Sequence, residues 1–501
     1  MALLASSRDA EATGSNSAGV TIYERADFGG DSRLLVADVS DLADLRGPCG
    51  IGDGGWSDCL SSIQLSSGWT ATLYELEGFE GDSLDVTSSF SNLENFPGCG
   101  DAWDNCAKSL RVRQPRIHHD STGYSEMHPL DIPDEAGFYV YSDDGLKALR
   151  LFGSFRMLSV LDNKQNFHAY DLVPPLIPTG DEDFRNINSV WTIKMSRIGF
   201  DALVGRRNEE NQLSSPVLIR MEADWKGDTE NFRIRHFFLR SKNWLIGHSW
   251  STLNNLTFLP LAVDGRLAGA GLGMRTPQIR YYNSRQNLNY QVSLEFRKTT
   301  LLKPASLNAI SQIAIPDLAG RVSHRTDRSE LAVAAILRPN RVQFPDDENR
   351  VQKLLGYGGV LGFRYRLNDR NRLKFSISGG TGMGTYMADY AWSDIDVAYN
   401  PSSMDFENVG VYGGFVALEH DWTKELSSTI GGSYLGTEEK DFFQDLQYID
   451  GYKTLINLFY KPALFEERFV FGCEVEYAER TNMDATQNNT TRMSVLLYYN
   501  F

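Results

Sequence analysis

Long hydrophobic runs are missing from this 501-residue chain: the longest clean one is "LAVAAIL" (331–337). A transmembrane helix needs roughly 18 or more consecutive apolar residues, so no helical span is expected. That absence leaves barrel strands open, since they need only about 9–11 residues each and show half their side chains to a lumen. An excess of positive charge is also missing. The formal net charge is −16, with 18 acids against 7 bases in residues 1–115 and 47 against 42 in the rest, which argues against a nucleic-acid partner. Cysteines number five and histidines eight, and no G-x-S-x-G nucleophile motif occurs. The opening "MALLASSRDAEA" lacks the basic flank and the length of a secretory leader, so residues 1–18 read as a disordered terminus or leader remnant.

What the chain does have is repetition. "YERADFGGDS" (23–32), leading to "CGIGDGGWSDCLSS" (49–62), aligns with "YELEGFEGDS" (74–83), leading to "CGDAWDNCAKS" (99–109). Tyr23 matches Tyr74, Phe28 matches Phe79, Gly30 matches Gly81 and Trp56 matches Trp103. Such self-similarity marks one supersecondary unit used twice. Cys49 with Cys59 and Cys99 with Cys106 bracket the tryptophans in the same way, which reads as two disulfides formed in an oxidising compartment. A zinc Cys₄ site is the alternative, against which the spacings speak.

The repeated Tyr-x₆-Gly-x-Ser, with a Trp and an Asp/Asn-rich hexapeptide ending in Ser, resembles a pair of βγ-crystallin Greek keys over residues 19–115. In microbial members of that family the two hexapeptides form a double calcium clamp. Here they are Ser57–Ser62 and Asp104–Ser109. The resemblance implies ligands Asp58, Ser61, Asp104 and Asn105, but Lys108 stands where a hydroxyl should coordinate. A lysine cannot ligate a hard cation, so one of the two sites is expected to be lost. In the bland reading these residues only cap Greek-key corners.

Residues 116–146 are rich in proline and acids and read as a linker; His118, His119 and His128 fall in it, and a solvated connector outweighs a metal site. From residue 147 to 501 the period-two signal runs unbroken through sixteen predicted strands. In "VLIRMEADW", Val217, Ile219, Met221, Ala223 and Trp225 oppose Arg220, Glu222 and Asp224. In "YQVSLEFR", Tyr290, Val292, Leu294 and Phe296 oppose Gln291, Ser293, Glu295 and Arg297. The last residues, "TRMSVLLYYNF", put Met493, Val495, Leu497, Tyr499 and Phe501 on one face. The register of "FRIRHFFLRS" reads either way.

A β-sandwich would bury those apolar faces in a core; a membrane barrel turns them to lipid and the charged faces to water. Long strands, aromatics near strand ends and the aromatic C-terminus favour the barrel. The fold class expected is all-β: a 16-stranded antiparallel transmembrane β-barrel preceded by a small double Greek-key domain. The short motifs "SRIGFDALV" (196–204), "GHSWSTL" (247–253), "RTPQIRYY" (275–282) and "YGGVLGFRYRL" (357–367) resemble the DcaP-like trimeric outer-membrane porins over about residues 146–501. That resemblance implies a homotrimer in outer-membrane lipid. Family members carry a helical N-terminal region where this chain has the crystallin-like module.

A sixteen-stranded barrel is too wide for side chains to fill. The pore-lining residues expected from parity are Arg220, Arg233, Arg235, Arg280, Arg297, Arg321, Arg364 and Arg366, against Glu222, Asp224, Glu295, Glu474 and Glu476. The arginines suit small anionic solutes; the alternative is that they only satisfy lumen acids. The stretch 251–274 is long enough to be a constriction loop. Cys473 shares a face with Phe471 and Val475 and is expected to be an inert, lipid-facing thiol. Rival readings are a barrel-embedded enzyme, for which His236, His248, His324 and His420 look scattered, and a plugged barrel serving as an anchor for the N-terminal module. With an even strand count, that module is expected in the periplasm.

Overall fold

Alternation of apolar and polar side chains needs an extended backbone, whose successive side chains point to opposite faces. The computed structural model describes residues 19–49, 55–66, 69–113, 137–142, 147–164, 170–179, 187–207, 213–226, 231–263, 267, 273–348, 350–390, 393–463 and 468–501. The linker histidines lie outside them. Contacts divide the chain into two units, taken here one at a time.

In the N-terminal unit, Val20–Arg25, Gly29–Leu35 and Ser62–Leu65 form one antiparallel sheet, and Thr70–Leu76, Glu80–Val86 and Ser109–Arg113 form its twin. Each repeat lends a residue to the other's sheet: Val39 bridges Leu110 and Phe90 bridges Ile63. The Greek keys are thereby interlocked around one core that includes Ile22, Trp56, Leu73 and Trp103. The repeat is exact down to side chains. Ser62 Oγ accepts from Phe28 N (3.1 Å) and donates to Arg25 O (2.6 Å); Ser109 Oγ accepts from Phe79 N (3.0 Å) and donates to Leu76 O (2.6 Å). Gly30 and Gly81 occupy left-handed backbone (φ 75° and 78°), where a Cβ is disfavoured.

The second unit is a closed barrel. Its sixteen strands are Lys147–Asp162, Arg197–Arg207, Leu213–Asp224, Arg233–Ser241, Trp244–Trp250, Arg275–Arg285, Leu288–Glu295, Asp317–Arg325, Ser329–Phe344, Arg350–Arg366, Asn371–Thr381, Gly410–Asp421, Leu426–Thr437, Tyr448–Tyr460, Phe469–Asn482 and Gln487–Asn500. The short strands Phe138–Tyr141, Asn188–Thr192 and Ile310–Ser311 join the same sheet. Consecutive strands pair, and the ring is shut by the last strand against the first, antiparallel from Arg492↔Asp162 to Asn500↔Ser154. Phe501 and Gly153 then exchange both backbone bonds (2.8 and 3.0 Å). A Cβ on Gly153 would lie 2.5 Å from the Phe501 ring, so glycine is needed for the terminal aromatic to seat.

The faces divide as the sequence pattern requires. Met493 and Val495 are 55% and 58% exposed, while Arg492, Ser494, Leu496 and Tyr498 are buried. Val292 and Leu294 point outward, and Gln291, Ser293 and Glu295 are buried inside. The ambiguous register of the fourth strand has a physical cause. Glu222 pairs with His236 but Ala223 pairs with Ile234, so Arg235 is an extra residue in a β-bulge. Arg233 and Arg235 face inward before the bulge, and His236 and Phe238 face inward after it. No single parity describes that strand.

An outward-facing apolar belt predicts a depth-dependent response. Val495→Arg is expected to cost about 2–4 kcal/mol, and Thr491→Arg, near the strand end, about 0–1 kcal/mol. Denaturant unfolding in lipid vesicles measures both; equal costs would mean that the belt does not meet hydrocarbon.

Candidate functional site: the barrel interior and the paired hexapeptides

Most of the arginines expected inside are held by carboxylates or wall amides. Arg220 grips Asp201 through Nε and Nη2, both at 2.7 Å. Arg233 does the same to Asp224 (2.9 and 2.7 Å), and Arg235 bridges Glu222 (2.6 Å) and Asp224 (3.0 Å). Arg280 donates to Gln278 (2.8 Å), Gln291 (3.1 Å) and Trp250 O. Arg297 reaches Arg275 O (3.4 Å) and stands over the Tyr386 ring. Arg364 lies 3.5 Å from Glu330; Arg366, one step along the same face, is exposed at the strand end. Arg321 is 2% exposed and faces Leu253 and Phe258 across a small void.

The wall acids have a second task. The loop after the fifth strand is closed at its base by Ser251 N→Met274 O (2.9 Å) and folds onto the inner wall. Glu295 accepts from Thr252 N (2.7 Å), Glu330 from Asn255 Nδ2 (2.8 Å) and Thr257 Oγ1 (3.1 Å), Glu419 from Leu261 N (2.9 Å) and Glu474 from Val263 N (2.9 Å). Lys374 Nζ and Asn457 Nδ2 donate in return to Leu259 O and Leu261 O. A loop with little regular structure beyond the 3₁₀ turn Leu256–Phe258 can be buried this way because its remaining backbone groups find wall partners. Inward glycines make the room: a Cβ on Gly362 would meet the Phe258 ring at 2.2 Å. Glu476 lies 3.5 Å from Lys453, with both side chains fully buried.

Sequence reasoning missed a second inward segment. Between the eleventh and twelfth strands, Met383, Tyr386, Met387, Tyr390 and Ile395 are fully buried and form a core with Leu253, Ala319, Ile336 and Val411. Tyr386 Oη donates to Asp317 (2.8 Å), and Arg338 donates to Gly382 O (2.9 Å). The available signal was the inward pair Gly358 and Gly380, where a Cβ would collide with Met383 Sδ. Near the end that carries the chain terminus the interior stays open. There a cavity of about 600 Å³ is bordered by Thr257, Leu261, Arg325, Arg364, Arg372, Lys374, Glu419, Asp421, Lys424, Glu425 and Lys461.

His236 Nδ1 does lie 3.2 Å from Ser249 Oγ on the adjacent strand. Arg275 Nε, however, donates to His236 Nε2 (3.3 Å), which leaves Nδ1 as the protonated nitrogen. A histidine in that tautomer cannot take the serine proton. Cys473 is exposed on the outer face as a free thiol.

In the N-terminal unit, Cys49–Cys59 and Cys99–Cys106 are disulfides, so no thiolate remains there for zinc. Asp58 and Asn105, equivalent positions, share left-handed backbone (φ 55° each), and each donates its N–H to the other hexapeptide: Asp58 N→Ala107 O (3.2 Å) and Asn105 N→Leu60 O (3.0 Å). Ser61 Oγ approaches Asn105 Oδ1 (3.4 Å), and Asn105 Nδ2 bonds Asp104 Oδ2 (2.9 Å). Ser61, Asp104 and Asn105 thus gather oxygens suited to a hard cation. The mirror position pairs Asp58 with the lysine-bearing hexapeptide and does not.

No curated protein matches the chain. Among solved structures, the chain is similar to the outer membrane channel DcaP of Acinetobacter baumannii, at 20% identity over 73% of this chain and 100% of that one, with a TM-score of 0.62. An anion-selective porin from Comamonas acidovorans aligns at 11% identity over 71% of this chain and 100% of that one, with a TM-score of 0.47. A βγ-crystallin domain from Flavobacterium johnsoniae aligns at 28% identity over 19% of this chain and 92% of that one, with a TM-score of 0.16. The family described as DcaP outer membrane protein matches residues 186–501, which takes in all but the first of the sixteen strands. By that match and by the closed barrel, the chain belongs to the DcaP outer membrane protein family.

Proposed function

We propose that the barrel is a diffusion channel for small anionic solutes. The observation that carries this reading is the cavity border, where Arg325, Arg364, Arg372, Lys374, Lys424 and Lys461 outnumber Glu419, Asp421 and Glu425. Fixed charge along a pore sets which ions enter it. Paired cations contribute structure more than field, and Arg325 and Arg364 face Glu330 while Arg372 and Lys374 hold Glu419 and Asp421, so among the described residues the excess rests on Lys424 and Lys461. In planar bilayers under a salt gradient, the reversal potential is expected to show anion preference, and Lys424→Gln/Lys461→Gln to weaken it. Cation preference in the unmodified protein would end the proposal.

A second reading, a plugged barrel acting as an anchor, is favoured by the apolar core around Met383, Tyr386 and Tyr390. A steady single-channel current excludes it. In either reading the protein is a homotrimer in outer-membrane lipid, with the crystallin-like module in the periplasm.

Calcium binding is proposed for one site only, at Asp104, Asn105 and Ser61. Calorimetric titration of the full-length protein is expected to give a stoichiometry near one, abolished by Asp104→Ala/Asn105→Ala. Two equivalent sites, or none, would refute it.

A further inference from the structure

On the outer face, the ninth and tenth strands carry apolar side chains at alternate positions. Val333, Leu337, Leu355 and Tyr357 are 55%, 49%, 60% and 56% exposed. The series is interrupted at Arg341 and Lys353, which lie directly opposite one another in the antiparallel register, before Val351. Residues so paired have Cβ atoms about 4.5–5.5 Å apart, and like charges there are destabilising. Among the described residues neither has an ion-pair partner, and Arg341 Nε is buried with no acceptor. In the adjoining turn Asp347, together with Asp405 from a separate short strand, holds Arg350 (2.6 Å each), Asp346 accepts from Asn308 (2.9 Å), and Glu348 is exposed and forms no ion pair with either cation.

Height supplies the second argument. From Leu355 to Tyr365 the outward residues span ten steps, about 33 Å of strand at about 3.3 Å each. At a tilt of roughly 40° this is about 25 Å of height, the thickness of a barrel's apolar band. Lys353 therefore stands one step beyond that band, at headgroup level, at the barrel end opposite the chain terminus. The amides of Gln343 and Gln312, hydrogen-bonded together, flank Arg341.

We propose that Arg341 and Lys353 form a binding site on the barrel exterior for the phosphate group of an outer-leaflet lipid, whose acyl chains lie along Leu337, Leu355 and Tyr357. A doubly charged phosphate between the two cations turns their repulsion into a pair of charge-assisted hydrogen bonds. The proposal rests on the outer-membrane reading, with the terminus-bearing end of the barrel in the periplasm.

The test uses the full chain purified in neutral detergent. The probes are a bisphosphorylated, multiply acylated disaccharide lipid, the same lipid after dephosphorylation, and inorganic phosphate. Binding is read by native mass spectrometry and by the shift in thermal midpoint. The phosphorylated lipid is expected to bind and stabilise. R341Q/K353Q should weaken that binding by about thirtyfold, roughly fivefold for each cation near a charged headgroup, and R341K/K353R should restore it. Equal binding of the dephosphorylated lipid, equal stabilisation by inorganic phosphate, or a changed subunit number in place of lost lipid would each overturn the site. Conductance of the same preparations reports separately on the channel: wild-type protein without current refutes the porin and leaves the lipid site standing.

Discussion

Replacing residues 253–263 with a short Gly-Ser bridge should raise single-channel conductance severalfold. The segment carries Leu253, Leu256, Phe258, Leu261 and Val263 into the lumen, all at most 8% exposed. A lumen of this strand number is otherwise too wide for the wall's own side chains to fill. Excision also strips the loop's bonds from Glu330, Glu419 and Glu474, but on the wall Arg325 and Arg364 still face Glu330, Arg372 and Lys374 still hold Glu419, and Asn457 still donates to Glu474. The same variant should therefore gain current while keeping the sign of its ion preference, since Lys424 and Lys461 are untouched. Unchanged conductance would mean that the segment around Tyr386, and not this loop, sets the narrowest point. Gel-shift on heating verifies that the variant still forms a barrel.

The second large effect is expected at the seam. Arg492 grips Asp162 through Nε (2.7 Å) and Nη2 (2.8 Å), and both side chains are fully buried. Removing one partner of such a pair typically costs about 3–5 kcal/mol, because the other charge stays in a medium that cannot solvate it. Asp162→Ala should therefore destabilise the barrel by that amount. Asp162→Leu/Arg492→Met, which removes both charges at similar volume, should recover most of it. Urea unfolding and refolding in vesicles measures the cycle. A small cost for the single variant would show that water reaches the seam.

Much of the barrel was legible because its rule is local. Alternation such as Met493–Ser494–Val495 is fixed by the pleat, so a single parity assigns every residue of a regular strand. The rule fails where the backbone breaks it: nothing in "FRIRHFFLRS" marks Arg235 as the bulged residue, since the extra residue is defined by its partner strand. The inward loop at 251–274 could be suspected from its length, but its wall anchors could not. From the loop, Glu330, Glu419 and Glu474 accept from groups 73 to 211 residues away in sequence. The segment around Met383 escaped notice because its signal was an absence of side chains elsewhere, at Gly358 and Gly380. The hexapeptides were readable because they occur twice. Their convergence at Ser61 and Asn105 depends on each Greek key lending a residue to the other's sheet.

The backbone exchange between Gly153 and Phe501 has a consequence for biogenesis. The seam it belongs to joins the first strand to the sixteenth, so before that strand is placed the sheet holds both edges unsatisfied. Such edges invite pairing with other polypeptides. Until the sixteenth strand is in place the protein needs a chaperone or insertase to shield them, and a variant whose Arg492–Asn500 segment cannot pair with Ser154–Asp162 should remain an open, protease-sensitive sheet.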